Sequence, residues 1–460
     1  MVHRYKSHGY NIVLDVDSGS VHVVDDVVYD LIPLVEEALS EGKTDDAIAK
    51  ELGGSLADIE RKEALAEILE LKNQGRLFAK DDYEKQIDAY TGRETVVKAM
   101  CLHIAHACNL ACKYCFAGEG EYYGPCGLMS FEVGKQALDY LVAHSGNRKN
   151  LEVDFFGGEP LMNWDVVKQL VAYGRSIEKE HDKNFRFTLT TNGTLLDDDI
   201  LEFANKEMSN LVLSIDGRKE VHDRMRPYRK GGGSYEDIVP KYIHAAESRE
   251  QMNYYVRGTY THFNTDFAAD VIHLADLGFK QISVEPVVAP PEMDYALTQE
   301  DVPELIRQYD ILADEMLKRR KEGNPFNFFH FMIDLECGPC VYKRLSGCGA
   351  GCEYVSVTPW GDIYPCHQFV GEEDFKLGNV TDGIQNTELR DKFHNCNVYS
   401  KPECRDCFAK YYCSGGCMAN SKHFSGDIYG AYEIGCELQR KRIECAIMLK
   451  VAAAMEEEEE

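Results

Sequence analysis

Cys108, Cys112 and Cys115 stand in a C-x3-C-x2-C pattern within the run Cys108-Asn109-Leu110-Ala111-Cys112-Lys113-Tyr114-Cys115-Phe116. Thiolates are nucleophiles and soft metal ligands, and this spacing places three of them on one short loop. A closed zinc site needs four ligands, and an ordinary iron–sulfur cluster needs four cysteines. A triplet therefore leaves one iron open to a ligand that is not a protein side chain. The alternative is a three-cysteine zinc site completed by His103 or His106. A second constellation runs through Cys348, Gly361-x4-Cys366, Cys404-x2-Cys407-x5-Cys413-x3-Cys417 and Cys436. Thiolate-rich spacing with hardly a histidine nearby favours iron–sulfur clusters, with a pair of zinc ribbons as the alternative.

The rest of the composition fits reduced thiols. The chain has 460 residues and 17 cysteines, and its N-terminus, MVHRYKSHG, lacks the apolar stretch of a secretory signal. No segment approaches the ~18 apolar residues of a membrane span. A cytoplasmic location is expected, where thiols stay reduced and metal binding is the leading use of so many cysteines. With 50 Lys+Arg against 78 Asp+Glu, the formal charge of -28 repels phosphate backbones and anionic membranes, so neither nucleic acid nor membrane is expected as a partner.

These residues must be positioned by regular elements. Ile12, Leu14 and Val16 alternate before the turn Asp17-Ser18-Gly19-Ser20, and Val21, Val23 and Val24 follow, which predicts a β-hairpin. Helical spacing begins at Val28, Thr44 caps a short helix through Leu52, Ser55 with Asp58 opens a longer helix closed by Gly75, and a strand over Arg76–Ala79 follows. Together these form a winged-helix-like module over residues 1–80. Its 9 Lys+Arg against 16 Asp+Glu favour a peptide-binding role over a DNA-binding one. Residues 81–95 read as a linker. Strands are expected at 97–104, 151–156, 185–190, 211–215, 254–260 and 281–285, each followed by a turn and an amphipathic helix. This βα repeat builds a parallel sheet, a partial barrel over 96–325. Ligands collect at the C-terminal ends of such strands, where the triplet lies. Eleven cysteines crowd into residues 337–436, a stretch too poor in long apolar periods to hold itself together without metal. A C-terminal helix from Cys436 to Met455 is expected, with the last five glutamates frayed into solvent at the negative end of its dipole.

The triplet, with an aromatic residue before its last cysteine, resembles the cluster motif of the radical S-adenosylmethionine (SAM) superfamily. Phe156-Gly157-Gly158-Glu159-Pro160 is similar to that family's GGEP segment, whose backbone and Glu meet the amino group of SAM; glycine there would let the backbone approach the ligand. Thr190-Thr191-Asn192-Gly193 and Ser214-Ile215-Asp216-Gly217, with Arg226 downstream and Glu285 after the sixth strand, resemble its sugar- and carboxylate-facing positions. The second constellation resembles the SPASM extension of radical SAM peptide-modifying enzymes, which houses two auxiliary 4Fe-4S clusters. The whole chain resembles the SCIFF-peptide maturases, which join a PqqD-like recognition domain to a radical SAM barrel and a SPASM domain.

This resemblance implies an α/β fold: a partial (β/α)6 TIM-like barrel, an N-terminal winged-helix-like, PqqD-like domain at 1–80, a cysteine-rich SPASM domain at 326–436, and a C-terminal helix with acidic tail at 437–460. It implies three 4Fe-4S clusters and SAM as cofactors. Cys108, Cys112 and Cys115 would hold the SAM-binding cluster, and Gly157, Gly158, Glu159, Pro160, Thr190, Asn192, Ser214, Asp216 and Arg226 would contact SAM. Cys404, Cys407, Cys413 and Cys436 would hold one auxiliary cluster, and Cys348, Cys366 and Cys417 the nearer one. Sulfatase maturases take that cluster's fourth ligand six positions before the first cysteine; here that position is Tyr342, so the site is open or is closed by Cys337, Cys340 or Cys352. They also carry a catalytic Asp where this chain has His367. The implied activity joins a cysteine sulfur to another residue, Thr in the family's pattern, by a thioether in a ribosomally made, cysteine-rich precursor peptide whose leader binds residues 1–80. A flavodoxin- or ferredoxin-like reductant would supply electrons. The alternatives are another SPASM modifier, by sulfatase-type oxidation or C–C crosslinking, and a non-enzymatic iron–sulfur or zinc scaffold binding nucleic acid. Of the remaining cysteines, Cys101, Cys396 and Cys445 read as buried hydrophobes, and Cys126 lies near the triplet loop.

Overall fold

A computed structural model describes residues 1–54, 58–336 and 341–459. The N-terminal expectation of a hairpin underestimates the sheet, which has three antiparallel strands: β1 (Val2–Ser7), β2 (Tyr10–Asp15) and β3 (Val21–Val24). Against it lie helices α1 (Asp26–Ser40), α2 (Asp45–Leu52) and α3 (Ile59–Asn73). The Asp25 carboxylate caps α1 by accepting from the Val28 N–H at 2.8 Å, and Thr44 caps α2 by accepting from Ala47. Asp58 precedes α3 without a capping side-chain bond, and Ser55 lies outside the described residues. Arg76–Ala79 is not a strand. Phe78 takes a left-handed φ of 54°, which breaks the extended run, and the Ala79 N–H donates to Asp15 Oδ2 rather than to a neighbouring strand.

Strand β2 is apolar on both faces. Val13 packs with α1, α2 and α3, whereas Ile12, Leu14 and Val16 belong to the main core shared with the barrel and the C-terminal helix. The alternation follows from the period of two along a strand. Strand β1 docks on the same helix, with the Tyr5 hydroxyl donating to the Glu444 carbonyl and His3 Nε2 2.9 Å from Glu444 Oε1.

Residues 81–95 are tied down along their length. They carry a 3-10 turn at Glu84–Gln86 and helix α4 (Ile87–Thr91). Asp81 accepts from the Tyr399 hydroxyl at 2.7 Å and from Lys410 at 2.9 Å, Glu84 pairs with Arg405, and Arg93 pairs with Glu353 while stacking on Tyr342. The segment fastens the cysteine-rich region to the body.

All six expected barrel strands are present: β4 (Ala99–His106), then, after the short β5 (Gly127–Leu128) paired to it, β6 (Asn150–Gly157), β7 (Asn184–Thr191), β8 (Met208–Ser214), β9 (Tyr254–Tyr260) and β10 (Gln281–Pro286). They pair in parallel in that order, and β11 (Asn327–Phe328) adds in parallel beside β10. On the opposite edge β12 (Tyr354–Val357) pairs in parallel with β4, followed by the antiparallel β13 (Asp362–Tyr364), β14 (Gly378–Asn379) and β15 (Gly383–Ile384). The cysteine-rich region is thus an extension of the same sheet. The C-terminal helix Glu433–Glu459 packs on the helix Val302–Lys321. It runs on through the glutamates expected to fray, because Arg320 and Lys321 bring cationic ends to Glu456. No helix among the described residues is long and apolar enough to cross a membrane.

Since Leu14 is fully buried in the core that joins module and body, Leu14→Ala should cost about 2–5 kcal/mol. Val23→Ala on the exposed face of β3 should stay within about 0.5 kcal/mol. Urea unfolding followed by circular dichroism measures both.

Candidate functional site

The triplet loop leaves the end of β4 and is stitched to the chain after β8. The Ala111 and Lys113 N–H groups donate to the Pro227 and Met225 carbonyls at 2.9 Å. Arg229 donates to the Cys108 carbonyl at 2.7 Å and to the Glu119 carbonyl at 2.8 Å. Beneath the loop Asp216, fully buried, accepts from the Tyr114 hydroxyl at 2.7 Å, from Arg226 at 3.0 Å and from the Thr259 N–H at 3.1 Å. Its carboxylate is occupied by the protein, so Asp216 and Arg226 brace the loop from below. Among the sequence-expected residues, Asn192 reaches the loop most directly: its amide donates to Cys108 Sγ at 3.6 Å and to Asn109 Oδ1 at 2.9 Å.

Burial pushes the Cys108 thiol up to about 11 and Cys112 up to about 12, and neighbouring thiolates add to the effect. The Leu110 N–H and Asn192 favour the Cys108 thiolate, and Arg226 favours that of Cys112, without overcoming burial. Several anionic sulfurs at one place need bound cationic charge, which iron supplies. No three His, Cys, Asp or Glu side chains among the described residues converge on a single ion. The ligands of a single zinc must converge in that way, whereas thiolates that bind separate irons of one cluster need not.

The fold itself gives the glycines of the GGEP segment a reason. Gly157 has φ 126°, a Cβ there would lie 2.3 Å from the Ala105 carbonyl oxygen, and one on Gly158 would lie 2.1 Å from that of Ala107. What excludes the side chain is the close approach of β6 to β4 and its loop. Glu159 is fully buried and accepts from the Leu161 N–H at 3.0 Å, the Thr191 hydroxyl at 2.7 Å and the Asn192 N–H at 2.8 Å. Burial still wins over these bonds and raises its carboxyl to about 7. Pro160 opens a buried 3-10 turn, and the Ser214 carbonyl accepts from the Tyr242 hydroxyl.

Polar side chains line the barrel's interior. Thr190 donates to Asp154 at 3.1 Å, Arg257 pairs with Glu285 at 3.0 Å, and His330 lies 3.8 Å from the same carboxylate. Burial raises Asp154 to about 7 against Thr190 and Arg257. It would raise Glu285 too, but Arg257, His330 and Arg442 outweigh it and hold that carboxyl at about 2. His103 and His106 contact each other at 3.0 Å, both deprived of charge by burial, rather than closing the triplet's site. Of these interior groups, Asp154, Arg257 and His330 were not singled out from sequence. Asp154 had a readable signal, a carboxylate at the inward position of an alternating strand; Arg229 had none.

The cysteines of the second constellation lie near one another in the folded chain. Cys366 and Cys417 feel each other's charge and that of Cys348. Cys404, Cys407, Cys413 and Cys436 do likewise among themselves. The four, with Cys417, line a cavity of about 660 Å³ that reaches Glu285 and Arg442. His367 packs against Phe116 and Phe156, with ring centroids 5.4 and 5.3 Å away, and so joins the Cys366 group to the triplet loop. Cys352 lies beside Cys348, with its thiol donating to the Arg390 carbonyl at 3.5 Å; Cys337 and Cys340 lie outside the described residues. Cys101, Cys396 and Cys445 are buried, and Cys126 is exposed.

Residues 102–284 match the family described as the radical SAM superfamily. They span four of the six barrel strands entire, most of β4 and of β10, and the triplet. The chain is 25% identical to the cysteine-type anaerobic sulfatase-maturating enzyme of Clostridium novyi, over 68% of this chain and 86% of that one. It is 23% identical to the radical SAM cyclopropyl synthase TigE of Paramaledivibacter caminithermalis, over 75% and 72%. Among solved structures, anSMEcpe with bound AdoMet superposes with TM-score 0.64 and 20% identity, over 77% of this chain and 95% of that one. Streptococcus suis SuiB bound to its precursor peptide SuiA superposes with TM-score 0.53 and 15% identity, over 92% and 95%. The fold is that of a radical SAM barrel.

Because Asp154 ionises only near pH 7 in the fold but near 3.8 as an ordinary carboxyl, its charge penalises the fold increasingly from pH 4 to 7 and fully above 7. Asp154→Asn should therefore raise the melting temperature relative to wild type at pH 8, with the advantage shrinking towards pH 5. Paired thermal melts at the two pH values test it.

Proposed function

We propose that this chain is a radical SAM peptide maturase that joins a cysteine sulfur to a residue carbon, Thr by family pattern, in a cysteine-rich precursor. The observation that carries this reading is the contact between two cysteine-bearing loops, the triplet at the C-terminal mouth of the barrel and the loop of Cys366, which packs beside it through His367 and Phe116. Cys108, Cys112 and Cys115 would hold the SAM-binding 4Fe-4S cluster. Cys404, Cys407, Cys413 and Cys436 would hold one auxiliary cluster, and Cys348, Cys366 and Cys417 the other, its fourth place open to a substrate thiolate or closed by Cys352, Cys337 or Cys340. When bound, the first cluster and SAM would supply a 5'-deoxyadenosyl radical that removes a hydrogen atom from the acceptor carbon. The chain's own part is to hold the loop rigid through Asp216, Tyr114 and Arg229, and to wall the reaction off with Phe116, Phe156 and His367. Joining the carbon radical to the thiol would release the thiol's proton and one electron, which the auxiliary clusters would be there to accept, so the peptide would lose two hydrogen atoms for each thioether.

For the leader, β3 pairs only with β2 among the described residues, and its free edge suits an added peptide strand. The SuiB–SuiA complex supports a peptide substrate, since SuiB matches nearly the whole chain. Residues 1–80 would then serve recognition, 96–325 radical generation, 326–436 the auxiliary clusters and 437–460 the closing helix, with a flavodoxin- or ferredoxin-like protein as reductant. A sulfatase-type oxidation is less supported, because His367 stands where that chemistry uses Asp.

Iron after anaerobic reconstitution should approach three clusters' worth, about twelve atoms per chain. Replacing Cys108, Cys112 and Cys115 together by Ala should remove about a third of it and abolish 5'-deoxyadenosine formation. Mass spectrometry of a cysteine-rich peptide encoded near the gene should show the loss of two hydrogens per crosslink. Formation of 5'-deoxyadenosine without any change in peptide mass would overturn the thioether reading.

A further inference from the structure

Two buried cations beside the Cys404–Cys436 cavity form no ion pair at contact distance with a carboxylate among the described residues. The Lys401 side chain is almost wholly enclosed, and its ammonium donates only to neutral acceptors, the Gly415 carbonyl at 2.8 Å, Ser421 Oγ at 2.9 Å and the Gly430 carbonyl at 3.3 Å. These acceptors belong to the Cys413–Cys417 loop, the helix that follows Cys417 and the loop ahead of Cys436, while Lys401 itself stands three residues before Cys404. Arg442, 8% exposed, lines the cavity from the C-terminal helix. Its Nε donates to the Tyr309 hydroxyl at 2.7 Å and Nη1 to Gln439 at 3.4 Å, but its buried Nη2 has no partner. The neighbouring carboxylate, Glu285, is engaged by Arg257 at 3.0 Å. Lys410 on the same wall shows the ordinary solution, pairing with Asp81 at 2.9 Å and Asp17 at 3.4 Å.

A buried charge is retained only where an opposite charge or a full set of strong bonds compensates it. Near Lys401 and Arg442 the anions are the sulfurs of the cavity, with whatever they bind, and the lining carboxylates Glu285, Glu403 and Glu433, none of which forms an ion pair with either cation. We propose that Lys401 and Arg442 are positioning residues that compensate the negative charge of the thiolate-ligated auxiliary clusters and raise their reduction potentials, so that these clusters can take the electron released on bond formation. The inference rests on the auxiliary-cluster assignment above. A cluster with four thiolate ligands is anionic and becomes more so on gaining an electron, so fixed positive charge held in low dielectric stabilises its reduced form. Lys401 ties together the segments bearing all four cysteines of one group and Cys417 of the other. Arg442 stands between the cavity and the barrel mouth at Glu285, where the electron would enter.

The test is spectroelectrochemical titration of the reconstituted holoenzyme, followed by electron paramagnetic resonance, for wild type, Lys401→Met, Lys401→Arg, Arg442→Met and Arg442→Lys. Iron analysis of the wild type comes first, since auxiliary clusters absent there would refute the cluster assignment rather than the role of the cations. With clusters present, each Met variant should show at least a tenfold lower ratio of reduced to oxidised auxiliary cluster at a fixed potential, a shift of about 59 mV for a one-electron couple. The charge-keeping variants should stay near wild type, and the cluster on the triplet should be unmoved in all four. Unchanged potentials in the Met variants with clusters intact would overturn the proposal. If the Met variants lose the auxiliary clusters, retention in Lys401→Arg and Arg442→Lys supports the charge role, and loss in those as well overturns it in favour of a purely steric one.

Discussion

Burying thiols in quantity is the constraint on which the rest of this molecule depends. Removal from water drives the pKa of Cys108, Cys112, Cys404 and Cys413 far above neutrality, so protein surroundings alone would leave these groups as inert thiols. To act as ligands they need cationic charge delivered to the same place, and the chain's own contribution is to prevent the sulfurs from drifting apart. Hence the heavy investment in loop bracing: Asp216 gives up its carboxylate to Tyr114, Arg226 and the Thr259 N–H, and Arg229 clasps the loop's carbonyls. Asp216 thereby acts as a keystone between the triplet loop and strand β9.

The sheet serves the same end over a longer range. By adding β12 in parallel beside β4, the cysteine-rich region enters the barrel's own hydrogen-bond ladder, and the loop bearing Cys366 arrives on the flank of the loop bearing Cys115. Two groups of thiols separated by hundreds of residues are held in register by a backbone ladder, which is stiffer than side-chain contact between separate domains.

The barrel was legible in the sequence because each of its strands is an apolar run bounded by turn residues, and the thiol groups were legible because cysteine spacing is short-range. What escaped was whatever depends on distant partners. Val2–Ser7 is too polar to read as a strand, and it forms one through pairing with β2 and docking on Glu444. Residues 81–95 look like a linker by composition, yet Asp81 and Arg93 find partners more than two hundred residues away. The terminal glutamates hold helix because Arg320 and Lys321 happen to end a neighbouring helix beside them. The need for Gly157 and Gly158 was visible, but the crossing of β6 over the β4 loop, which demands glycine by itself, was not.

Strand β2 carries a further implication. With Val13 turned to the three N-terminal helices and Ile12 and Leu14 turned to the barrel and C-terminal helix, one six-residue ribbon is shared property of two cores. Such a ribbon cannot be exchanged as a cassette: a foreign N-terminal module spliced in at residue 80 would arrive with its own second strand and would have to match the main body's apolar surface as well as its own interior. Sequence changes should therefore accumulate on β3 and the exposed faces of α1, where only one surface has to be satisfied, while the inner strand drifts slowly under two sets of packing demands.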